Sequence, residues 1–156
     1  TAIGQWISCT EETTILRRCA YWASLRGAPP TSNVSNHTIS IPRANQLTPD
    51  ALGEVALYLA EHPETDFLYS DDDKIDTKGD RFDPQFKPEW SPELLLSFMY
   101  MGHLCVVRRE IFEKVGGLRV GYEGSQDYDF ALRATEISRQ VAHLPLVLYH
   151  WRTAPG

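Results

Sequence analysis

Leu47-Thr48-Pro49-Asp50-Ala51-Leu52, followed after Pro63 by Phe67-Leu68-Tyr69-Ser70-Asp71-Asp72-Asp73, reads as a helix feeding a buried strand. Thr48 is a good N-cap, Pro49 suits the first helical position, and Asp50 favours the positive end of the helix dipole. Leu52, Val55, Ala56 and Leu59 then fall at i, i+3, i+4 and i+7, which predicts an amphipathic helix ending before Pro63. Phe67-Leu68-Tyr69 is a short apolar run, the pattern of a strand covered on both faces, and it passes straight into three carboxylates.

Downstream, the alternation continues. Thr77 to Trp90 reads as a proline-punctuated loop, and Ser91-Pro92-Glu93 opens a second helix by the same cap-then-proline logic. His103 to Val107 reads as a strand, and Arg109 to Val115 as a short helix closed by Gly116-Gly117. Ser125 caps a longer helix in which Tyr128, Ala131, Leu132 and Thr135 share a face, and Val141 to Tyr149 is a strand delivering His150 and Trp151. Strands alternating with helical segments predict an α/β fold with a mixed or parallel sheet flanked by helices. Upstream the signals are weaker. Ile15, Cys19 and Trp22 give a helical rhythm between Thr1 and Gly27, Gly27 to Asn33 reads as a linker, and Ile39-Ser40-Ile41 is a short strand ended by Pro42. The expected division is a helical segment and linker over residues 1–46 and a domain over 47–156.

Composition narrows the class of function. The chain has 156 residues, 42% hydrophobic and 23% charged, the balance of one folded domain. A formal net charge of -6, with no basic stripe, disfavours nucleic acid as the main ligand. It is compatible with a nucleotide diphosphate bridged by a cation. Three scattered cysteines make neither a disulfide framework nor a zinc site, and Cys105, in an apolar run, reads as a buried inert thiol. No transmembrane-length apolar segment and no leader are evident, so a cytoplasmic setting is expected.

Two positions combine a strand or helix end with reactive side chains. Asp71-Asp72-Asp73 follows a buried strand; adjacent carboxylates repel, and Mg²⁺ or Mn²⁺ would relieve that repulsion, whereas the plain alternative is a solvated acidic turn. Gly121-Tyr122-Glu123-Gly124-Ser125-Gln126-Asp127-Tyr128-Asp129 is a glycine-flanked loop entering a helix with two carboxylates in its first turn. Asp127 there is either a general base on a rigid support or a carboxylate that offsets the helix dipole. His103 and His150 sit at strand edges. His150 can complete a metal site begun by a carboxylate on another strand, and hydrogen-bonded structure is the alternative for both. Trp90 and Trp151 suit either stacking on a sugar ring or core packing.

The order of these pieces resembles the family-2 inverting glycosyltransferases that build cell-surface polysaccharides. The resemblance is carried by Leu47-Thr48-Pro49-Asp50-Ala51-Leu52, Tyr69-Ser70-Asp71-Asp72-Asp73-Lys74-Ile75-Asp76, Phe86-Lys87-Pro88-Glu89-Trp90-Ser91-Pro92 and Gly102-His103-Leu104. Val115-Gly116-Gly117, Gly124-Ser125-Gln126-Asp127-Tyr128-Asp129 and Leu148-Tyr149-His150-Trp151-Arg152 complete it, collinear from about Leu47 to Arg152. It implies a GT-A-type fold, a nucleotide-diphosphate sugar donor, a saccharide acceptor, Mg²⁺ or Mn²⁺, and hexosyl transfer with inversion. Asp127 is then the catalytic base; Asp71, Asp73 and His150 are expected as metal ligands from the residues themselves, the acidic run being a feature separate from the family's own metal motif. Trp90, His103, Gly124, Gln126, Asp129 and Trp151 are the substrate-binding residues. Any membrane association would come through the acceptor alone. The family carries a metal-binding aspartate motif just ahead of the Leu-Thr-Pro-Asp helix, where Ile41-Pro42-Arg43-Ala44-Asn45-Gln46 holds no carboxylate. The resemblance therefore implies a truncated GT-A-like sheet, the acceptor-side half with most of the nucleotide-binding half absent.

Two other readings stand beside this one. A non-catalytic module that keeps the fold would leave a sheet edge uncovered, and a homodimer or a partner chain is expected on that edge. A metal-dependent phosphoryl-transfer domain built around Asp71 would need a nearby lysine, for which Lys74 alone qualifies.

Overall fold

The computed structural model describes residues 6–8, 37–40 and 45–153, with backbone alone at 6–8 and 39–40. In chain order these form β1 (Trp6–Ser8), β2 (His37–Ser40), β3 (Gln46–Leu47), α1 (Ala51–Glu61), β4 (Phe67–Ile75) and β5 (Arg81–Gln85). They continue with α2 (Pro92–Ser97), β6 (Cys105–Arg108), α3 (Arg109–Lys114), α4 (Gln126–Ile137) and β7 (Val141–Arg152). The strands make one mixed sheet in the spatial order β1-β2-β6-β4-β7-β3, with β5 beside β4. The α/β class and the helix-flanked mixed sheet are as expected.

β4 is the axis of the molecule. It runs parallel to β7 along its whole length, and its other edge is shared by β6, opposite Phe67–Tyr69, and β5, from Asp72 onward. A strand with neighbours on both edges and layers on both faces must bury every side chain, which is why its first residues are uniformly apolar. Period-two alternation then sorts the core. Leu68, Leu104 and Val106 face α1, where they meet Ala51, Val55 and Leu59. Phe67, Tyr69, Cys105 and Val107 face the other way, onto Leu95, Ile111, Phe130, Ala131 and Ala134 of the remaining helices.

One buried charge locks this arrangement. Asp66, fully buried just before β4, accepts from Arg108 Nε at 2.7 Å, Arg139 Nε at 3.0 Å and the Arg139 amide at 2.9 Å. It thereby ties together the starts of β4 and β7 and the end of β6. Burial alone would raise its pKa, but the hydrogen bonds from Arg139 and Arg108 outweigh burial and pull it down to about 2. Its contribution to stability is complete above the ordinary carboxylate value and disappears as pH falls toward 2. Asp66→Asn is expected to lower the unfolding free energy at neutral pH by about 2 kcal/mol, measured by urea titration.

Several boundaries differ from expectation, each for a local reason. α1 starts at Ala51, with Asp50 as a cap whose side chain makes no capping bond. Thr48 does not cap, since its buried Oγ1 accepts from no amide, while its own amide donates to the Leu148 carbonyl at 3.1 Å and fastens it to β7. β5 forms where a loop was expected: Pro84 is tolerated because the strand pairs with β4 alone. Trp6–Ser8 is a strand within the segment expected to be helical, while Ile15, Cys19 and Trp22 lie outside the described residues. The second helix follows expectation, with the Ser91 hydroxyl accepting from the Leu94 amide at 3.2 Å and Pro92 in the first turn.

Candidate functional site

The acidic run is neither solvated nor a turn. Asp71, Asp72 and Asp73 continue β4 and are 3%, 5% and 4% exposed, against the solvated alternative weighed above. Buried carboxylates need cations or donors, and each has its own. Asp71 Oδ1 pairs with His143 Nε2 at 2.8 Å and accepts the Lys87 amide at 2.9 Å. Asp72 Oδ2 pairs with Lys87 Nζ at 2.8 Å. Asp73 is bonded to His150 Nδ1 and takes Arg81 Nε at 2.7 Å. Asp73 and His150 are thus together, but Asp71 is turned to other partners. Among the described residues no three His, Cys, Asp or Glu side chains gather where a metal ion could sit. Asp71, Asp73 and His150 do not converge as one donor set, and the Arg81 guanidinium on Asp73 stands where a cation's charge would, so these residues do not fit a metal.

Asp127 has a different environment. The face of α4 that packs on the sheet carries Phe130, Ala131 and Ala134, one position round from the expected Tyr128, Ala131, Leu132 and Thr135. Phe130 decides the rotation, since its ring is buried against Phe112 with centroids 5.3 Å apart. Asp127 lies one turn before Phe130 and Ala131 on the same stripe, so it points at the sheet rather than outward. Its side chain is 33% exposed and, with Gly102, His103, Cys105 and Met99, lines a cavity of about 10 Å³. Burial raises the carboxyl's pKa above its usual value. The ionised form is therefore a stronger proton acceptor than a solvated aspartate.

Opposite stands His103. Its side chain is 6% exposed, and its Nε2 is 3.6 Å from Asp127 Oδ2, too long for a hydrogen bond. Neither ring nitrogen has a hydrogen-bond partner. The imidazole packs against Tyr149 and edge-on to Trp151, with centroids 5.0 Å and 4.9 Å away. Burial, helped by the Lys87 ammonium, lowers its pKa to about 4, so the ring is neutral in neutral solution. Protonation is costly in the folded protein and free in the unfolded chain. Stability should therefore be complete above pH 6.5 and fall by about 3 kcal/mol as pH drops to about 4. His103→Phe, which keeps a ring in the stack, should flatten that slope in urea titrations across the same range.

The other candidates divide. Trp151 borders His103, while Trp90 is half-buried against the core face that holds Tyr100 and Leu95. Gly124 is on the exposed rim, its amide donating to Gln126 Oε1 at 2.6 Å, which engages that oxygen in shaping the loop. Asp129 points away from the cavity and accepts from Arg133 Nε at 3.0 Å. Arg133 also donates to the carbonyls of Val115 and Gly117, so Asp129 braces α4 against the Gly116-Gly117 turn. His150 lines a separate open cleft of about 620 Å³ with Thr48, Asp50 and Arg81, which shares no lining residue with the Asp127 cavity. Cys105 is buried and unpaired, and burial pushes its thiol up to about 12, which leaves it unreactive.

With this geometry, comparison with known proteins gives partial kinship. No family model matches the chain. Over 106 residues it is 48% identical to O-antigen biosynthesis protein RfbC of Myxococcus xanthus, covering 68% of this chain and 8% of that protein. Over 136 residues it is 40% identical to uncharacterized protein y4gI of Sinorhizobium fredii (strain NBRC 101917 / NGR234), covering 80% of this chain and 15% of the relative. The chain thus spans only a small part of either curated relative's length.

Three residues that supply the counter-charges of the acidic run carried no periodic signal in the sequence. Lys87 lies in Phe86-Lys87-Pro88, His143 in an apolar strand, and Arg81 in a segment that reads as loop. The one available hint was stoichiometric: three carboxylates continuing a buried strand require counter-charges from somewhere.

Proposed function

We propose that this chain is the acceptor-side part of an inverting glycosyltransferase of polysaccharide biosynthesis, with Asp127 as its base. The observation that carries this reading is the placement of Asp127: first turn of a packed helix, aimed at the sheet, partly open, its carboxyl raised by burial. The identity with a protein named for O-antigen biosynthesis supports the substrate class. In the reaction, an acceptor hydroxyl attacks the anomeric carbon of a nucleotide-diphosphate sugar. The new C–O bond forms as the bond to the diphosphate breaks and the electron pair leaves with the phosphate. The hydroxyl proton passes to Asp127 Oδ2, and the anomeric centre inverts. Trp151 would offer a ring face or edge near the acceptor.

A second reading, a non-catalytic module, is favoured by one observation: the acidic run is consumed by internal pairs. Calorimetric titration with UDP- and dTDP-linked sugars, with and without Mn²⁺, separates the two. Nucleotide binding, together with release of nucleoside diphosphate when methyl glycosides are added, is expected for the transferase. No binding at millimolar ligand favours the module instead.

A further inference from the structure

We propose that the cavity between His103 and Asp127 is a seat for a single hydroxyl group, with His103 as the second contact of the attacking oxygen. The inference rests on Asp127 being the base, and it adds a partner and a geometry to that role.

Three observations converge. A neutral imidazole carries one donor and one acceptor nitrogen, and a buried one almost always uses them. His103 uses neither, although its side chain is 6% exposed. An orphaned polar group of this kind costs free energy unless something absent from the protein itself completes it. The space beside it is about 10 Å³, roughly the volume that one water-sized group requires. The third observation is the partner across that space, a carboxylate whose Oδ2 is 3.6 Å from Nε2. One oxygen can touch both groups at that separation, whereas a direct bond between them cannot form without movement.

The surroundings fix which group does what. Lys87 Nζ holds the His103 carbonyl at 2.7 Å, and the ring is packed against Tyr149 and Trp151, so the imidazole cannot swing away. Gly102, at φ +50, lets the chain turn beside the Asp72–Lys87 pair, where a Cβ would lie 3.2 Å from Asp72 Oδ2. His103 Nε2–H donates to one lone pair of the seated hydroxyl. The hydroxyl's own hydrogen then points at Asp127, and its remaining lone pair faces outward to the sugar donor. Water fits the same seat, and in the absence of acceptor it fills it.

The test has a structural and a kinetic arm, run on the protein and on His103→Phe, His103→Gln and Asp127→Asn, each checked for an unchanged melting profile. In a crystal structure at atomic resolution without sugar, one ordered water is expected within hydrogen-bond distance of both His103 Nε2 and Asp127 Oδ2. That water should be lost in His103→Phe. A dry cavity, or a direct His103–Asp127 bond with no room for a third atom, overturns the proposal. In the kinetic arm, release of nucleoside diphosphate from UDP- and dTDP-linked sugars with methyl glycosides is followed. His103→Phe should lower kcat roughly 10- to 100-fold with donor KM unchanged, and His103→Gln, which keeps a donor, should recover part of it. Full activity in His103→Phe beside an inactive Asp127→Asn sinks the role of His103 and leaves the transferase intact. Unchanged activity in Asp127→Asn sinks the transferase reading; in that case, and where this chain alone turns over no donor, the crystallographic water decides the seat alone.

Discussion

Asp127→Asn is expected to lower the rate of sugar transfer by at least about 100-fold, the usual contribution of a general base, while leaving the fold intact. The two halves of that expectation come from one physical fact. Burial raises the carboxyl's pKa, so the folded protein disfavours the charged form at neutral pH relative to the unfolded chain. Removing the charge relieves that cost and forfeits only a helix-dipole interaction of about 0.3–1 kcal/mol. The Asn variant should therefore melt at the same temperature as the parent or slightly above it, and it has no site of sufficient basicity to take the proton. An inactive but unstabilised and misfolded variant would show as a lowered melting temperature, so calorimetry alongside the transfer assay tells the cases apart. A carboxylate kept where it costs stability is the signature expected of a functional group rather than a structural one. Near-parental activity in the Asn variant would remove Asp127 from the chemistry.

How much of this was legible beforehand depends on whether the deciding interaction is local. Elements set by short-range rules were readable. Ser91 caps α2, Gly116-Gly117 closes α3, and the apolar run Phe67-Leu68-Tyr69 is a strand buried on both faces. Elements set by pairing at long range were not. Whether Arg81–Gln85 forms a strand depends on an edge of β4 that β6 leaves free, which no local pattern encodes. The rotation of α4 by one residue depends on Phe130 finding Phe112 across the fold. That rotation matters most for the site. It puts Asp127 on the buried stripe, whereas the expected stripe centred on Tyr128 leaves the direction of Asp127 undefined. The acidic run was visible as an anomaly, but its resolution was not. Its partners come from positions 81, 87, 143 and 150, none of them adjacent to it in sequence.

Lys87→Met should then cost about 3–5 kcal/mol of stability, the penalty for stripping the partner from a buried charge. Both members of the Lys87–Asp72 pair are secluded, at 5% and 7% side-chain exposure. The ammonium has three hydrogens and three acceptors: Asp72 Oδ2, the Ser70 carbonyl and the His103 carbonyl. Methionine matches the volume but leaves a carboxylate and two carbonyls without the ammonium in the protein interior. Asp72→Asn in the same background should recover more than half of the loss, because the residual cost is then only that of neutral polar groups. Urea titrations of the two single variants and the double variant check this, and a double variant no more stable than Lys87→Met alone would mean that the pair is not the source. The consequence reaches the site, since the Lys87 charge is the second reason, after burial, that His103 resists protonation. In Lys87→Met the imidazole pKa should rise from about 4 toward its ordinary value, read by histidine NMR titration. The same lysine that balances the acidic strand thereby keeps the imidazole opposite Asp127 neutral, so that it can donate Nε2–H to a shared hydroxyl without a positive charge that would lower the basicity of Asp127.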